Sequence, residues 1–429
     1  MLDYIKIIAD KINAGTPVIF YTVGGDTFSC IKELKHRFAI LPSAVCDADP
    51  KKHGRTYKGL EGLVVMSIET ALQERTDAEI FIPSMDYIFD IIGYLTENHI
   101  VPPEKIINYE PVEKRRSCSF LEKSIFYDRD GSLIYCCNVP GLPRIPKNCT
   151  NQFFTFRKGL TETLKNNADT ETTYAKCKGC QSCSYIKENY YPVDQKSWWL
   201  NYFAANGCNY RCEYCTVSHM EDKDRDNLLD LDVLLKTFKD NGMLSERYGI
   251  IYSTSGEPTL HPKKTKFYNA FDGFAFVVNT NGSIFDEELF DLANRAKVRL
   301  VVSIDAGTRE TYAKIKRVDS FEKAKLNLTQ YAKANIGLIA LKYLLMPGVN
   351  DNADDINGFV DFCVDTECTY VVISFDYYSE SKLDEKTMGA IQLLMRKLDE
   401  LDILVVPYTA YESPEYSAKI RALLLEGNV

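Results

Sequence analysis

Apolar residues along this chain follow two alternating rhythms. Short continuous apolar runs, which read as buried strands, give way to stretches with apolar positions three and four apart, which read as amphipathic helices. The opening "MLDYIKIIADKINAG" has the helical spacing. "PVIFYTVGG" (17–25) reads as a strand ending in glycines, with a helix following through "FSCIKELKHRF". "LPSAVCDADPKKHGRTYKGL" predicts a second strand and a turn, "VVMSIETALQERTDAEIFIPS" a strand, helix and strand, and "DYIFDIIGYLTENHI" another helix. Strands alternating with helices predict a parallel sheet covered on both faces. Residues 1–112 are therefore expected to form a doubly wound, Rossmann-like α/β domain.

The same alternation returns from about residue 196. Strands are predicted at "WWLNYFAA", "GIIYSTS", "FAFVVNT", "VRLVVSID", "IGLIALKYLL", "TYVVISFD" and "DILVVPY". Helices are predicted at "LDVLLKTFKD", "DEELFDLANRA", "FEKAKLNLTQYAKA", "ADDINGFVDFCV" and "TMGAIQLLMRKLDEL". Six or seven such units over residues 196–429 predict a partial or full parallel (β/α) barrel, whose chemistry collects at the carboxyl ends of its strands. Between these regions, 113–195 lacks long periodic elements. "SIFYDRDGSLIYCCN" there reads as a hairpin. At 429 residues the chain is too long for one core, which agrees with this three-part division.

Composition narrows the classes. A hydrophobic content of 45% with 26% charged residues is that of a soluble globular protein. A formal charge of −9 argues against general nucleic-acid binding, and the basic runs "EKRR" and "HPKKTK" read as solvated loops. No stretch approaches the roughly 20 apolar residues of a membrane span. Asp3, Lys6, Asp10 and Lys11 interrupt any signal-peptide core, so a cytoplasmic location with reduced thiols is expected.

Fourteen cysteines then become informative. Cys30, Cys46, Cys363 and Cys368 sit in apolar or helical contexts and read as small core residues. The other ten crowd between Cys118 and Cys215, which suits a soft metal. Cys118, Cys136 and the "CKGCQSC" set of Cys177, Cys180 and Cys183 supply thiolates for one centre, with Cys137 and Cys149 as alternates. A structural zinc and an iron–sulfur cluster both fit that spacing, and the chemistry of the next region favours iron–sulfur. In the first region Asp47 and Asp49 follow Gly24 and Gly25 at the distance of a ribose-binding acid. The glycine pattern is only "GGD", so nucleotide binding and a docking role both stand, the latter favoured.

The densest group is "NGCNYRCEYC" (206–215), with Cys208, Cys212 and Cys215 directly after the first barrel strand. Three thiolates hold three irons of a [4Fe–4S] cube and leave the fourth open, as catalytic metal sites do. A C-x3-C-x2-C segment after a first strand resembles that of the radical S-adenosylmethionine (radical SAM) enzymes. Four further segments are similar to that family in order: "STSGEPTLHP", "NTNGSIF", "VSIDAGTRETYAKIK" and "LKYLLMPGVND". The resemblance implies that Ser255, Gly256 and Glu257 lie at the methionine end of SAM. It also implies that Thr280, Asn281, Ser303 and Asp305 lie near SAM and that Lys342 faces SAM or substrate. Tyr214, between the last two cysteines, offers an aromatic face beside the molecule that completes the cluster. The cysteine-rich region resembles a SPASM or twitch auxiliary-cluster domain, here preceding the barrel, and implies an auxiliary [4Fe–4S] cluster. The first region resembles Rossmann-like modules fused to enzymes of surface-sugar metabolism.

In such enzymes a reduced cluster cleaves SAM to a 5′-deoxyadenosyl radical, which takes hydrogen from the substrate. An electron donor such as flavodoxin or ferredoxin is implied. His219, His261, Asp305, Asp376 and Tyr377 are candidate proton carriers at the barrel mouth. The expected substrate is a polar small molecule, such as a sugar or nucleotide-linked sugar. A peptide or protein is the alternative, and a non-catalytic iron–sulfur scaffold or electron carrier is the reading from another class.

Overall fold

The computed structural model describes residues 3–84, 87–127, 132–135, 144–146, 149–166, 186–194, 196, 199–202, 207–215, 231–240, 250–253, 256–270, 275–295, 298–334, 338–375 and 384–407. In the first region β1 (Val18–Tyr21), β2 (Ala44–Cys46), β3 (Val65–Met66) and β4 (Glu79–Phe81) form a four-stranded sheet. Its order is β3-β2-β1-β4 and all pairs are parallel. Every residue of β1 is buried, which is why that central strand reads as an unbroken apolar run. Helices Tyr4–Asn13, Gly25–Phe38, Ile68–Glu74 and Ile88–Glu97 accompany it. Asp3 and Ser67 start two of them by accepting the backbone N–H of Lys6 (3.0 Å) and Thr70 (3.1 Å).

β5 (Val112–Cys118) leaves this domain, and β6 (Ser124–Tyr127), β7 (Ser132–Ile134) and β8 (Ile145–Pro146) follow it. β9 (Ile186–Pro192) returns to pair antiparallel with β5. The seven strands expected downstream are β10 (Trp199–Tyr202), β11 (Ile250–Ser253), β12 (Ala275–Thr280), β13 (Val298–Ser303), β14 (Leu338–Leu345), β15 (Tyr370–Phe375) and β16 (Leu404–Pro407). They run parallel in chain order, and β6 joins them parallel to β10, followed by antiparallel β7 and β8. The ten-stranded sheet stays open between β16 and β8, so the fold is α/β with a partial barrel among the described residues. The cysteine-rich stretch thus extends the barrel sheet. It also holds a 16-residue helix, Thr150–Lys165, in a segment whose sequence shows no clear period. Phe153, Leu160 and Leu164 bury one stripe of that helix, while Gly159 and several threonines blur the pattern.

Side chains on β12–β16 alternate between two cores. Phe276, Val278, Leu300, Val302, Leu341, Tyr343 and Ile373 pack beneath the helices that follow the strands, with Leu289, Leu328, Phe359 and Leu394 among their partners. The opposite, inner face presents Val277, Leu338, Ala340, Tyr370 and Leu404, and these share a core with Ile31, Leu34 and Leu60 of the first domain. The first domain therefore seats on the amino-terminal half of the barrel's inner face. Gly25 makes this close approach possible. A Cβ built there would lie 3.0 Å from the Tyr370 ring and 3.2 Å from the Arg299 guanidinium. Asp26 pairs with Arg299, Arg55 pairs with Asp399, and the Lys58 N–H donates to the Asp402 carbonyl at 3.2 Å.

Candidate active site at the carboxyl ends of the barrel strands

The loop Gly207–Cys215 follows β10 and is anchored on three sides. Its Gly207 carbonyl accepts the N–H of Glu257 from the loop after β11 (2.8 Å). Asn209 Oδ1 accepts from Asn281 Nδ2 after β12 (2.8 Å), and Asn209 Nδ2 donates to Ser283 Oγ (2.9 Å). On the third side the N–H groups of Glu213 (2.9 Å) and Arg211 (3.4 Å) donate to the carbonyls of Ile315 and Lys316, at the end of helix Arg309–Lys316. Between the first two cysteines Tyr210 is buried, its hydroxyl 3.1 Å from that of Tyr312.

Each of the three cysteines is partly buried and none is in a disulfide. Two N–H donors already address the Cys208 sulfur, the Tyr210 backbone at 3.4 Å and Asn281 Nδ2 at 3.7 Å. Donors aimed at a sulfur suit a thiolate ligand. Burial pushes the Cys208 thiol up. Burial also pushes the Cys212 thiol up to about 11, opposed by the Lys316 ammonium and reinforced by Asp305, Cys208 and Cys215. The three sulfurs thus share one electrostatic neighbourhood. Among the described residues no three His, Cys, Asp or Glu side chains converge on a single-ion site.

Gly256 takes a left-handed φ of +65°, which lets the chain turn before Glu257, while Ser255 lies outside the described residues. Glu257 is 1% exposed. Its carboxylate accepts Thr259 Oγ1 (2.6 Å), the Thr259 N–H (3.3 Å), Thr280 Oγ1 (2.8 Å) and the Asn281 N–H (2.7 Å). Burial raises its carboxyl even against those four donors. The side chain therefore brackets the ends of β11 and β12.

Ser303 and Lys342 are register partners on β13 and β14, on the inner face one step above the first-domain contact. Burial lowers the Lys342 ammonium, with Asp305 opposing. Asp305 lies two residues beyond β13 at a φ of +60° and is fully buried. Its carboxylate accepts Tyr214 Oη (2.7 Å), the Leu344 N–H (2.7 Å) and Lys316 Nζ, and its carbonyl accepts Asn350 Nδ2 (2.7 Å). Lys316 Nζ also donates to Tyr214 Oη (2.9 Å) and sits 5.2 Å from the centre of that ring. Tyr214 Oη is thus committed to Asp305 and Lys316. The sequence reading did not select Lys316 or Asn350. The available signal for Lys316 was its spacing from Tyr312, which puts a lysine on the apolar face of its helix.

Cys118, at the end of β5, and Cys149, preceding helix Thr150–Lys165, are both partly buried against the barrel core. Cys136, Cys137, Cys177, Cys180 and Cys183 lie outside the described residues, as do His219, Asp376 and Tyr377. His261 Nδ1 accepts the Lys263 N–H at 3.1 Å. No helix among the described residues is long and apolar enough to cross a membrane.

The described residues thus form an α/β protein, a partial parallel barrel with a three-cysteine loop beyond β10. Residues 202–363 match the Radical SAM superfamily. That superfamily's cofactors are a [4Fe–4S] cluster and S-adenosylmethionine, and the thiolate set of the loop suits the former. The chain is 24% identical over 224 residues to a GTP 3′,8-cyclase of Chlorobaculum tepidum, covering 50% of this chain and 64% of that protein. It is 28% identical over 184 residues to a GTP 3′,8-cyclase of Hydrogenovibrio crunogenus, covering 41% and 53%. It is 36% identical over 101 residues to a tungsten-containing aldehyde ferredoxin oxidoreductase cofactor-modifying protein of Pyrococcus furiosus, covering 23% and 28%. The chain thus spans less than two thirds of each of these relatives. Among solved structures, SuiB of Streptococcus suis bound to precursor peptide SuiA aligns over 72% of this chain and 75% of that one, at 14% identity and a TM-score of 0.42. A likeness at that level carries no conclusion.

Proposed function

We propose that this chain is a radical SAM enzyme acting on a polar small molecule. The observation that carries the reading is the three-anchored loop, with Cys208, Cys212 and Cys215 at the carboxyl end of the sheet and two N–H donors on the Cys208 sulfur. In this reading the three thiolates hold the cluster. The main chain at Gly256 and Glu257 takes the methionine end of SAM, and Ser255, Thr280, Asn281, Ser303 and Asp305 border it. When bound, the pair supplies reductive SAM cleavage and hydrogen abstraction from the substrate. The chain's own work is positional. Glu257 fixes two strand ends, Asn281 orients Cys208, and Lys342 offers a cation on the inner face.

A small substrate is supported by the seating of the first domain, which fills the amino-terminal half of that face and leaves the polar Ser303–Lys342 rung above it. Two relatives named as GTP cyclases act on a nucleotide, which agrees with a sugar-bearing or nucleotide-linked substrate. An auxiliary [4Fe–4S] cluster drawn from Cys118, Cys136, Cys177, Cys180 and Cys183 completes the proposal, with an external flavodoxin or ferredoxin as reductant. The test is an anaerobic assay with SAM and dithionite on wild type and Cys212→Ala. Wild type is expected to release 5′-deoxyadenosine and the variant to release none, while retaining the iron of the auxiliary centre. Equal release from both, or none from a fully loaded wild type, overturns the reading.

A further inference from the structure

Lys316 and Asp305 have side chains 1% and 0% exposed, an ion pair taken almost wholly out of water. Removing two charges from water is costly, and an apolar pair of similar size would fill the space without that cost. The pair is also not isolated. Tyr214 lies between Cys212 and Cys215 and joins both partners through one hydroxyl, donating to Asp305 (2.7 Å) and accepting from Lys316 (2.9 Å). The carbonyls of Ile315 and Lys316 accept the N–H groups of Glu213 and Arg211, so side chain and backbone of one helix end grip the same arm of the loop. Asp305 is in turn held by the Leu344 N–H and Asn350 Nδ2 in a left-handed backbone conformation that a non-glycine residue seldom takes.

Resting on the reading that the loop holds a cluster, we propose that Lys316, Asp305 and Tyr214 are positioning residues that fix the Cys212–Cys215 arm and set the reduction potential of the cluster through two opposed buried charges. Reduction adds one negative charge at the loop. A buried cation there favours the reduced state and a buried anion opposes it, both strongly because little water screens them. Tyr214, flanked by Cys212 and Cys215, hydrogen-bonds to both Lys316 and Asp305, which places the two opposite charges beside that arm of the loop. A purely mechanical strut would give a different signature, since breaking it from either side would loosen the same loop in the same way.

The experiment is an EPR-monitored redox titration of the full-length, anaerobically loaded protein, following the signal that changes on adding SAM. Wild type, Lys316→Met, Lys316→Arg and Asp305→Asn are compared. Lys316→Met is expected to lower the potential by at least a tenfold change in the reduced-to-oxidised ratio, about 59 mV for one electron. Asp305→Asn is expected to raise it, and Lys316→Arg to restore a value close to wild type. Shifts of the same sign in Lys316→Met and Asp305→Asn, or none in either, overturn the proposal while leaving the cluster assignment intact. If Lys316→Met loads no cluster, a potential in Asp305→Asn at or below that of Lys316→Arg overturns it instead, and a higher one supports it. A wild-type protein with no SAM-responsive cluster overturns the assignment, and this proposal with it.

Discussion

At the scale of single residues, Glu257 does more inside the protein than a sequence motif suggests. Four donors from Thr259, Thr280 and Asn281 converge on its buried carboxylate, so the charge is spent on joining two loops. Glu257→Gln keeps the shape but turns an amide N–H₂ toward donors, leaving at least one of them unpaired. A buried donor without a partner costs roughly 1–3 kcal/mol. Urea denaturation of the cluster-free variant should therefore show a loss of about 2 kcal/mol against wild type, and an unchanged midpoint would mean the bracket is not stabilising. Asp351 supplies the pH-dependent case. Burial alone would raise its carboxyl, but the Gly348 N–H, the Lys386 ammonium and the Thr387 hydroxyl outweigh it and hold it below the ordinary range. A depressed carboxyl contributes stability that is present above its unfolded-state pKa of about 3.9 and is lost as pH falls through the folded value. The stability gap between wild type and Asp351→Asn is thus expected to be constant near neutrality and to shrink below about pH 4. A gap that widens in acid would contradict this.

At the scale of elements, the loop after β13 lies directly on helix Ala353–Asp365. A Cβ at Gly307 would fall 1.8 Å from the Asp355 carbonyl oxygen, and one at Gly358 would fall 2.1 Å from the Gly307 carbonyl oxygen. Asp355 closes the contact by accepting the N–H groups of Gly307 and Thr308, each at 3.1 Å. Because both sides are backbone, neither yields to a methyl group. Gly307→Ala should cost about 3 kcal/mol or more, read as a lower thermal midpoint, since overpacking against rigid atoms exceeds the usual penalty. A midpoint within a degree of wild type would rule out the close approach. The parallel strands were legible because each is a short apolar run ended by polar or turn residues, as at "VRLVVSID" and "FAFVVNT". Helix Thr150–Lys165 and the β5–β9 ribbon were not. The helix hides its stripe behind Gly159 and threonines, and β5 carries "VEKRRSC", whose charges mask a strand that uses Arg115 in a buried pair with Glu122. Helix Arg309–Lys316 was obscured in the same way, by the lysine it turns inward.

At the scale of the whole molecule, the position of the first domain decides what the barrel can enclose. Its glycine turn, which in sequence invites a nucleotide, meets Tyr370 and Arg299, and Asp47 is occupied by the Val23 N–H (2.8 Å), the Asp49 N–H (2.9 Å) and Lys52 Nζ (2.9 Å). No sequence pattern announces such a contact, because it joins residues hundreds of positions apart. The cysteine loop was legible for the opposite reason, its three cysteines being packed into one short segment. Gly25→Leu is expected to leave both sheets folded yet speed hydrogen exchange at the amino ends of β13–β15, where Arg299, Leu338 and Tyr370 lose their cover; unchanged exchange would mean the domains do not depend on this seat. The central claim, that three sulfurs leave one iron open for SAM, has a more direct test. Electron–nuclear double resonance on the reduced cluster with SAM carrying 15N in its amino group should reveal nitrogen coupling that vanishes in Cys212→Ala. A well-loaded wild-type cluster with no such coupling, its fourth iron held by a protein side chain, would contradict the account.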